Sequence, residues 1–378
     1  MSKKIALSAN TSWGVYNFRY GLIKELINKN YNVLVVAPYD KYTEKLKDIG
    51  CKTIDIYINS KSTNPIDDLK TFYQYLKIYK KEKPDIVLNF TIKPVIYSSL
   101  TCSILGIKTI NTITGLGTGF IKNNLITKII KFLYKISQKK VDRIFFQNKD
   151  DLELFINENL IDKEKTDVIP GSGINTEKFK PIKAKKEDNI FRFLLIARML
   201  WDKGVGEYVE ACKILKKKYK NVECLLLGAT HVDNPSAIPI EKIKEWEKEG
   251  IIKYLGTTDD VRMEISKADC IVLPSYREGT SRVLLESASM EKPIIATDVP
   301  GCNNIVKDGW NGFLCKVKDA KDLADKMEKM VNLTKEERIK MGKRGREKII
   351  KEFDEKIVIE KYIEVIDKIL QNGEIKKC

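Results

Sequence analysis

Phe191-Arg-Phe-Leu-Leu-Ile-Ala197 runs apolar into Arg198-Met-Leu-Trp-Asp-Lys203-Gly204. The chain then turns amphipathic from Gly206 to Tyr219 and apolar again over Glu223–Leu227. A short run apolar on both faces, then a helical period, then another such run reads as strand, helix, strand in a parallel sheet covered on both sides. The alternation continues outward. Ile240–Glu249 and Val261–Ala268 read as helices, Ile252–Leu255 and Cys270–Leu273 as strands. Val283–Met290 and Pro293–Ala296 add a further cycle, and the tail from Ala320 is helical and charged. In the other direction the polar stretch Pro181–Asn189 reads as a linker. Before it lie apolar runs at Asn32–Ala37, Ile54–Ile58, Asp85–Leu88, Thr109–Thr112, Arg143–Phe146 and Asp167–Ile169, again with helices between. The expectation is an α/β protein of two domains with one architecture used twice. They span 1–183 and 184–353, with a final helix over 354–378. Ligands of open α/β sheets bind beyond the carboxyl ends of the strands, so the expected site is a cleft between the two.

The composition agrees with globular domains. The chain has 378 residues, of which 43% are hydrophobic and 32% charged. No run approaches the roughly 18 apolar residues of a membrane span. The first residues, Met1-Ser-Lys-Lys and then Ile5–Ala9, break at Asn10 and read as a first strand, not as a signal peptide. None of the eight cysteines forms a CxxC pair. They read as buried thiols of a reducing, cytoplasmic compartment. With His231 as the one histidine, a multi-histidine metal centre is excluded and a histidine-based triad disfavoured. His231 itself follows a strand and reads as an ordinary loop residue.

The most informative stretch is Leu273-Pro-Ser-Tyr-Arg-Glu278-Gly-Thr-Ser-Arg-Val-Leu-Leu-Glu286. A strand ends at Leu273 and a helix is expected to begin near Gly279. Its N-terminal amides suit a diphosphate, and Val283 and Leu284 on it are candidate donor contacts. Gly279 permits close backbone approach. Glu278 is placed to accept hydrogen bonds from sugar hydroxyls, and Glu286 to reach a ribose diol. Two glutamates eight apart are also common on any amphipathic surface helix. Arg198 and Lys203 share the loop after their strand and can offset charge on a leaving diphosphate. They also fit two solvated cations in a chain holding 68 Lys and Arg. Asn10-Thr-Ser-Trp-Gly14 reads as the loop after the first strand, with Gly14 open to close approach.

Taken in order, these residues resemble retaining glycosyltransferases of family 4, whose fold is GT-B: two Rossmann-like domains facing a cleft. The resemblance covers nearly the whole chain, and it implies that the final helix packs back on the first domain. It implies that Glu278 and Glu286 are the pair of the EX7E motif, the first on the donor sugar and the second on the ribose. It implies that Arg198 and Lys203 clamp the diphosphate of a UDP-sugar and that Gly14 lies near it. Gly256 and Thr257 would pass the base, and Pro300-Gly301 would lie near the donor sugar. No cofactor and no metal are implied; the UDP-sugar is a co-substrate. Asn89–Pro94, Ile113–Thr118, Phe145–Asn148, Val168–Gly173, Trp201–Val205 and Asp233–Ser236 resemble, more narrowly, enzymes that extend polyprenyl-diphosphate-linked glycans of capsules, O-antigens and protein N-glycans. That implies a UDP-N-acetylhexosamine donor, N-acetylgalactosamine in α1,3 linkage first among them. The chain departs from the family at Asn111-Thr-Ile-Thr114-Gly115, where many members carry a histidine.

Charge is uneven. Residues 1–185 carry +13 and residues 186–378 carry +3. Between Ile86 and Val141 there is no Asp or Glu but there are eight lysines. Within that run Ile121–Lys140 reads as a basic amphipathic helix, with Phe132 and Tyr134 on it. It suits the inner face of an anionic membrane, or else an ordinary core-packed helix with a solvated lysine face. No nucleic-acid motif accompanies it. The alternatives to a transferase are a UDP-sugar epimerase or phosphorylase of the same fold, or a non-enzymatic basic membrane-binding protein.

Overall fold

The computed structural model describes residues 2–59, 64–115, 125–184, 188–231 and 234–375. It divides into two compact units: Met1–Ser172 with Glu355–Cys378, and Gly173–Asp354.

The first unit is built on seven parallel strands: β1 (Lys4–Ser8), β2 (Asn32–Val36), β3 (Lys52–Ile54), β4 (Ile86–Phe90), β5 (Lys108–Ile113), β6 (Arg143–Phe146) and β7 (Thr166–Val168). Their order is β3-β2-β1-β4-β5-β6-β7. Alternate residues serve opposite faces. Ile5, Leu7, Val33, Val35 and Ile86 pack with Val358, Tyr362 and Ile366 of the helix Glu355–Ile375. Ala6, Leu34 and Val87 pack with Tyr75 and Tyr79 of the helix Pro65–Glu82. The strands are apolar at successive positions because both faces are covered. The last helix is integral to this unit. Tyr31 Oη donates to Asp367 at 2.9 Å, Lys361 pairs with Asp167 at 2.9 Å, and Thr112 and Tyr362 share a hydroxyl hydrogen bond.

The second unit has six parallel strands: β8 (Phe191–Ile196), β9 (Val222–Leu227), β10 (Lys253–Tyr254), β11 (Cys270–Leu273), β12 (Ile294–Thr297) and β13 (Gly312–Cys315). Their order is β10-β9-β8-β11-β12-β13. Phe193, Leu195 and Val272 face Tyr208, Cys212 and Met327; Leu194, Ile271 and Leu273 face Leu284, Leu285 and Ala288. The division falls at Ser172 and Gly173, ahead of the linker read at Pro181–Asn189. The reason is packing: Ile174 and Phe179 are buried in the second unit's core, and Arg346 donates to the carbonyls of Thr176 and Ser289. The unit's two ends are fastened to each other. Ile174 N donates to Phe353 O at 2.9 Å and Thr176 Oγ1 to Asp354 Oδ2 at 2.5 Å.

The cysteines at 51, 102, 212, 224, 270, 302 and 315 are free and buried. Among the described residues no helix is long and apolar enough to cross a membrane.

Candidate active site

In the second unit the strand order reverses between β8 and β11, so the loops leaving these two neighbours open a crevice at the carboxyl edge of the sheet. The first loop carries Arg198 and a short 3-10 turn, Trp201–Lys203; the second runs from Pro274 to Ser281. They are stitched together. Tyr276 N donates to Asp202 O at 3.0 Å, and Ser275 Oγ donates to the same carbonyl at 3.4 Å. Gly204 takes φ 71°, and a Cβ there would lie 2.0 Å from the Pro274 carbonyl oxygen. Only glycine lets the loops close this far. The closure brings Lys203 Nζ to 2.5 Å from Glu278 Oε1, both side chains mostly shielded at 22% and 15% exposure. A charge-assisted hydrogen bond in such a setting holds both groups in one geometry.

The loop after β12 holds Glu278 from the other side. Glu278 N donates to Pro300 O at 3.3 Å and Ser281 N to Gly301 O at 3.0 Å. Gly301 sits at φ 83°, and a Cβ on it would lie 2.4 Å from Glu278 O. These two bonds keep the backbone extended, so the helix begins at Arg282, with Ser281 as its cap, and not near Gly279. Gly279 stays in the loop. The first intrahelical bond runs from Leu285 N to Ser281 O, so the amides of Val283 and Leu284 precede any intrahelical acceptor. The Leu284 side chain is buried in the core, which leaves its backbone as the part that can meet a ligand.

Glu286 is buried on this helix and accepts from Arg282 Nε at 2.9 Å. Burial raises its pKa, while Arg282 pulls it down. The strand β10 ends beside β9, where Gly228 N donates to Gly256 O at 2.8 Å and Tyr254 Oη to Gly228 O at 2.8 Å; Thr257 beyond them is exposed.

Arg198 stands exposed at the end of β8. Gly14 belongs to the first unit and lies inside the helix Ser12–Asn28, not in a loop. Thr11 caps that helix and accepts from Gly14 N at 3.0 Å, so the helix starts earlier than read. His231 is exposed, with φ 54°. The basic helix spans Leu125–Ser137. Residues 121–124, and residues 116–118 of the motif ending at Thr118, lie outside the described residues, as does Asp233. Phe132 is 61% exposed, but Tyr134 is 1% exposed and packs on Phe155, so only the first is on the outer face.

Two further pairs hold the site. Tyr276 Oη donates to Glu207 Oε1 at 2.6 Å, and burial together with that carboxylate raises the tyrosine's pKa. Ser236 Oγ donates to Asp202 Oδ1 at 2.7 Å. The first ties a loop to the helix Val205–Lys218 and the second ties two loops from separate strands, and sequence spacing carries no mark of either.

Two doubly wound units, the second with an acid–base pair at its switch point and acid-bearing helix beside it, define the class of GT-B glycosyltransferases. The chain belongs to this family: residues 175–348 match Glycosyl transferases group 1, and residues 4–148 match Glycosyl transferase 4-like. It is 32% identical, over 98% of this chain and 100% of the other, to an N,N'-diacetylbacillosaminyl-diphospho-undecaprenol alpha-1,3-N-acetylgalactosaminyltransferase of Campylobacter jejuni. It is 26% identical, over 76% of each chain, to a UDP-Gal:alpha-D-GlcNAc-diphosphoundecaprenol alpha-1,3-galactosyltransferase of Escherichia coli. The fold matches the crystal structure of a Rickettsia africae glycosyltransferase with a TM-score of 0.80 at 22% identity, covering 98% of this chain and 99% of that one.

Proposed function

We propose that the protein transfers a sugar, N-acetylgalactosamine in α1,3 linkage, from its UDP derivative to a polyprenyl-diphosphate-linked saccharide, with retention and without a metal ion. The observation that carries this reading is the Lys203–Glu278 pair at the switch point of the second sheet. Two relatives whose names specify transfer to diphospho-undecaprenol-linked sugars support the acceptor class, and one of those names specifies a UDP-sugar donor.

In this reaction the bond between the anomeric carbon and the diphosphate oxygen breaks and a bond to the acceptor oxygen forms on the same face. The acceptor proton passes to the departing phosphate. Negative charge grows on UDP as the bond breaks. Lys203 and Arg198 are the fixed cations that stabilise it, together with the amides of Val283 and Leu284. Glu278 accepts from donor-sugar hydroxyls, and its bond to Lys203 keeps it aimed. Glu286, held by Arg282, accepts from the ribose diol. The first unit takes the acceptor, and the lysines of the helix Leu125–Ser137 meet the anionic inner face of the membrane in which the acceptor's lipid is embedded.

The test is UDP release from a panel of UDP-sugars, with and without a detergent-solubilised polyprenyl-diphosphate-sugar, repeated in a chelator. Acceptor-dependent release from UDP-N-acetylgalactosamine, undiminished by the chelator and giving an α-linked product by NMR, is the expected outcome. Interconversion of UDP-sugars without acceptor would replace the transferase by an epimerase.

A further inference from the structure

Three helices lie side by side on the Ala6 face of the first sheet: Pro65–Glu82, Ser99–Leu105 and Leu125–Ser137, the middle one packed against both others. Their inner faces fill the core. Tyr75 and Tyr79 of the first and Tyr134 of the third are fully buried. Their outer faces hold large apolar side chains in water. Ile66, Leu69 and Tyr73 on the first helix are 72%, 56% and 66% exposed, Ile104 on the second 65%, and Ile129 and Phe132 on the third 50% and 61%. The spacing in the first helix is i, i+3, i+7, one stripe along one face. Outer faces of adjacent helices on one side of a sheet point the same way. These residues therefore form one surface. The 18-residue helix is about 27 Å long, and three helices set 8–10 Å apart make the surface roughly 20 Å wide. Apolar exposure on this scale marks an interaction site.

The exposed charges beside the stripe are mostly positive. Lys70, Lys77, Lys128 and Lys135 are exposed beside the stripe. The acids nearby are turned away: Asp68 pairs with Lys93 at 2.6 Å, Asp67 accepts from Tyr57 and Asn59, and Glu82 is buried against Lys4 and Lys52. An apolar patch rimmed by lysines, with Asp68, Glu82 and Glu158 paired to lysines, complements an anionic bilayer surface.

We infer that the whole three-helix face lies on the membrane, with the helix Pro65–Glu82 inserting Ile66, Leu69 and Tyr73 as an anchor separate from the basic helix. The inference rests on the reading of a membrane-embedded acceptor, but its test does not depend on transfer. The full-length protein is sedimented with vesicles of phosphatidylcholine alone and of phosphatidylcholine with phosphatidylglycerol. Binding is expected to the anionic vesicles, and the Ile66→Ser, Leu69→Ser, Tyr73→Ser variant is expected to bind them about tenfold more weakly. Transfer by this variant to a short-chain, water-soluble acceptor should be unchanged. As a second readout, Tyr73→Trp and Phe132→Trp proteins should each be quenched by brominated lipid. Wild-type binding by the triple variant, or an unquenched Trp at position 73, overturns the inference. So does a concentration-dependent dimer abolished by the triple variant, which would make the face a contact between copies. Vesicle binding that survives a failed transfer assay would overturn the acceptor reading and leave the membrane face standing.

Discussion

At the carboxyl end of β8 the chain runs through a tight loop with Arg198, Lys203 and Gly204, and the neighbouring loop after β11 is bonded to it. At the carboxyl end of β1 the chain enters a helix within four residues, capped by Thr11. The strands on each side of these points follow the same order. In the first unit Lys93 follows β4, the counterpart of β11, at the cap of the next helical turn. It pairs with Asp68 of the helix Pro65–Glu82, at 11% and 18% exposure, and so ties two helical segments together. In the second unit the cation pairs with an acid on the next loop. One sheet order thus supplies two crevices, and the loops alone set their chemistry. The pair in the second unit joins two loops, and the pair in the first unit joins two helical segments.

Exchanging the roles of the two lysines is the strongest way to break that contrast. Lys203→Ala and Glu278→Ala should each lower kcat about 10²–10³-fold while the melting temperature holds. Lys93→Ala should leave Asp68 buried without its cation and cost about 3 kcal/mol of stability. Urea unfolding and steady-state transfer measured on all three decide it, and near-normal turnover of the Lys203 and Glu278 variants would remove the site assignment.

Gly301→Ala sharpens the same contrast at the level of backbone. Its methyl group would press on the Glu278 carbonyl, so kcat should fall about tenfold and melting should come a few degrees lower. Gly14→Ala in the first unit meets only the Thr11 hydroxyl, at 3.0 Å, and should melt within about 1 °C of the parent.

The smallest effects concern two buried glutamates of opposite sign. In the first unit, hydrogen bonds from Lys52 and Lys4 lower the Glu82 pKa against its burial. Its contribution is present above the ordinary value, about 4.3, and is lost as pH falls through the lowered native value. In the second unit burial raises the Glu286 pKa. Stability from its neutral form is present below the ordinary value and is lost as pH rises through the raised one. At pH 7, Glu82→Gln should therefore lower the melting temperature and Glu286→Gln raise it, each by about 2 °C. Both differences should shrink towards pH 4. Melting curves between pH 3 and pH 7 check the two signs.

The strands were legible because burial on both faces writes an unbroken apolar run such as Phe191–Ala197. Glu278 and Glu286 stood out as candidates because one short block of sequence carries both, eight residues apart. The Lys203–Glu278 bond was not: it joins residues 75 apart, and it exists because β8 and β11 are neighbours, an order that periodicity does not encode. The same holds for Tyr276 and Glu207, 69 apart. The helix start at Arg282 was misplaced because the residues that delay it, Pro300 and Gly301, belong to another loop. Which of Phe132 and Tyr134 faces outward was not legible, because Phe155, which Tyr134 packs against, sits on a later helix.

The second unit begins and ends at one spot, where Ile174 and Phe353 share a hydrogen bond and Thr176 grips Asp354. A segment whose ends are already knotted together makes a natural cassette. Residues 173–354 can be cut from one gene and spliced into another that offers two adjacent chain ends, and the exchange leaves no gap to bridge.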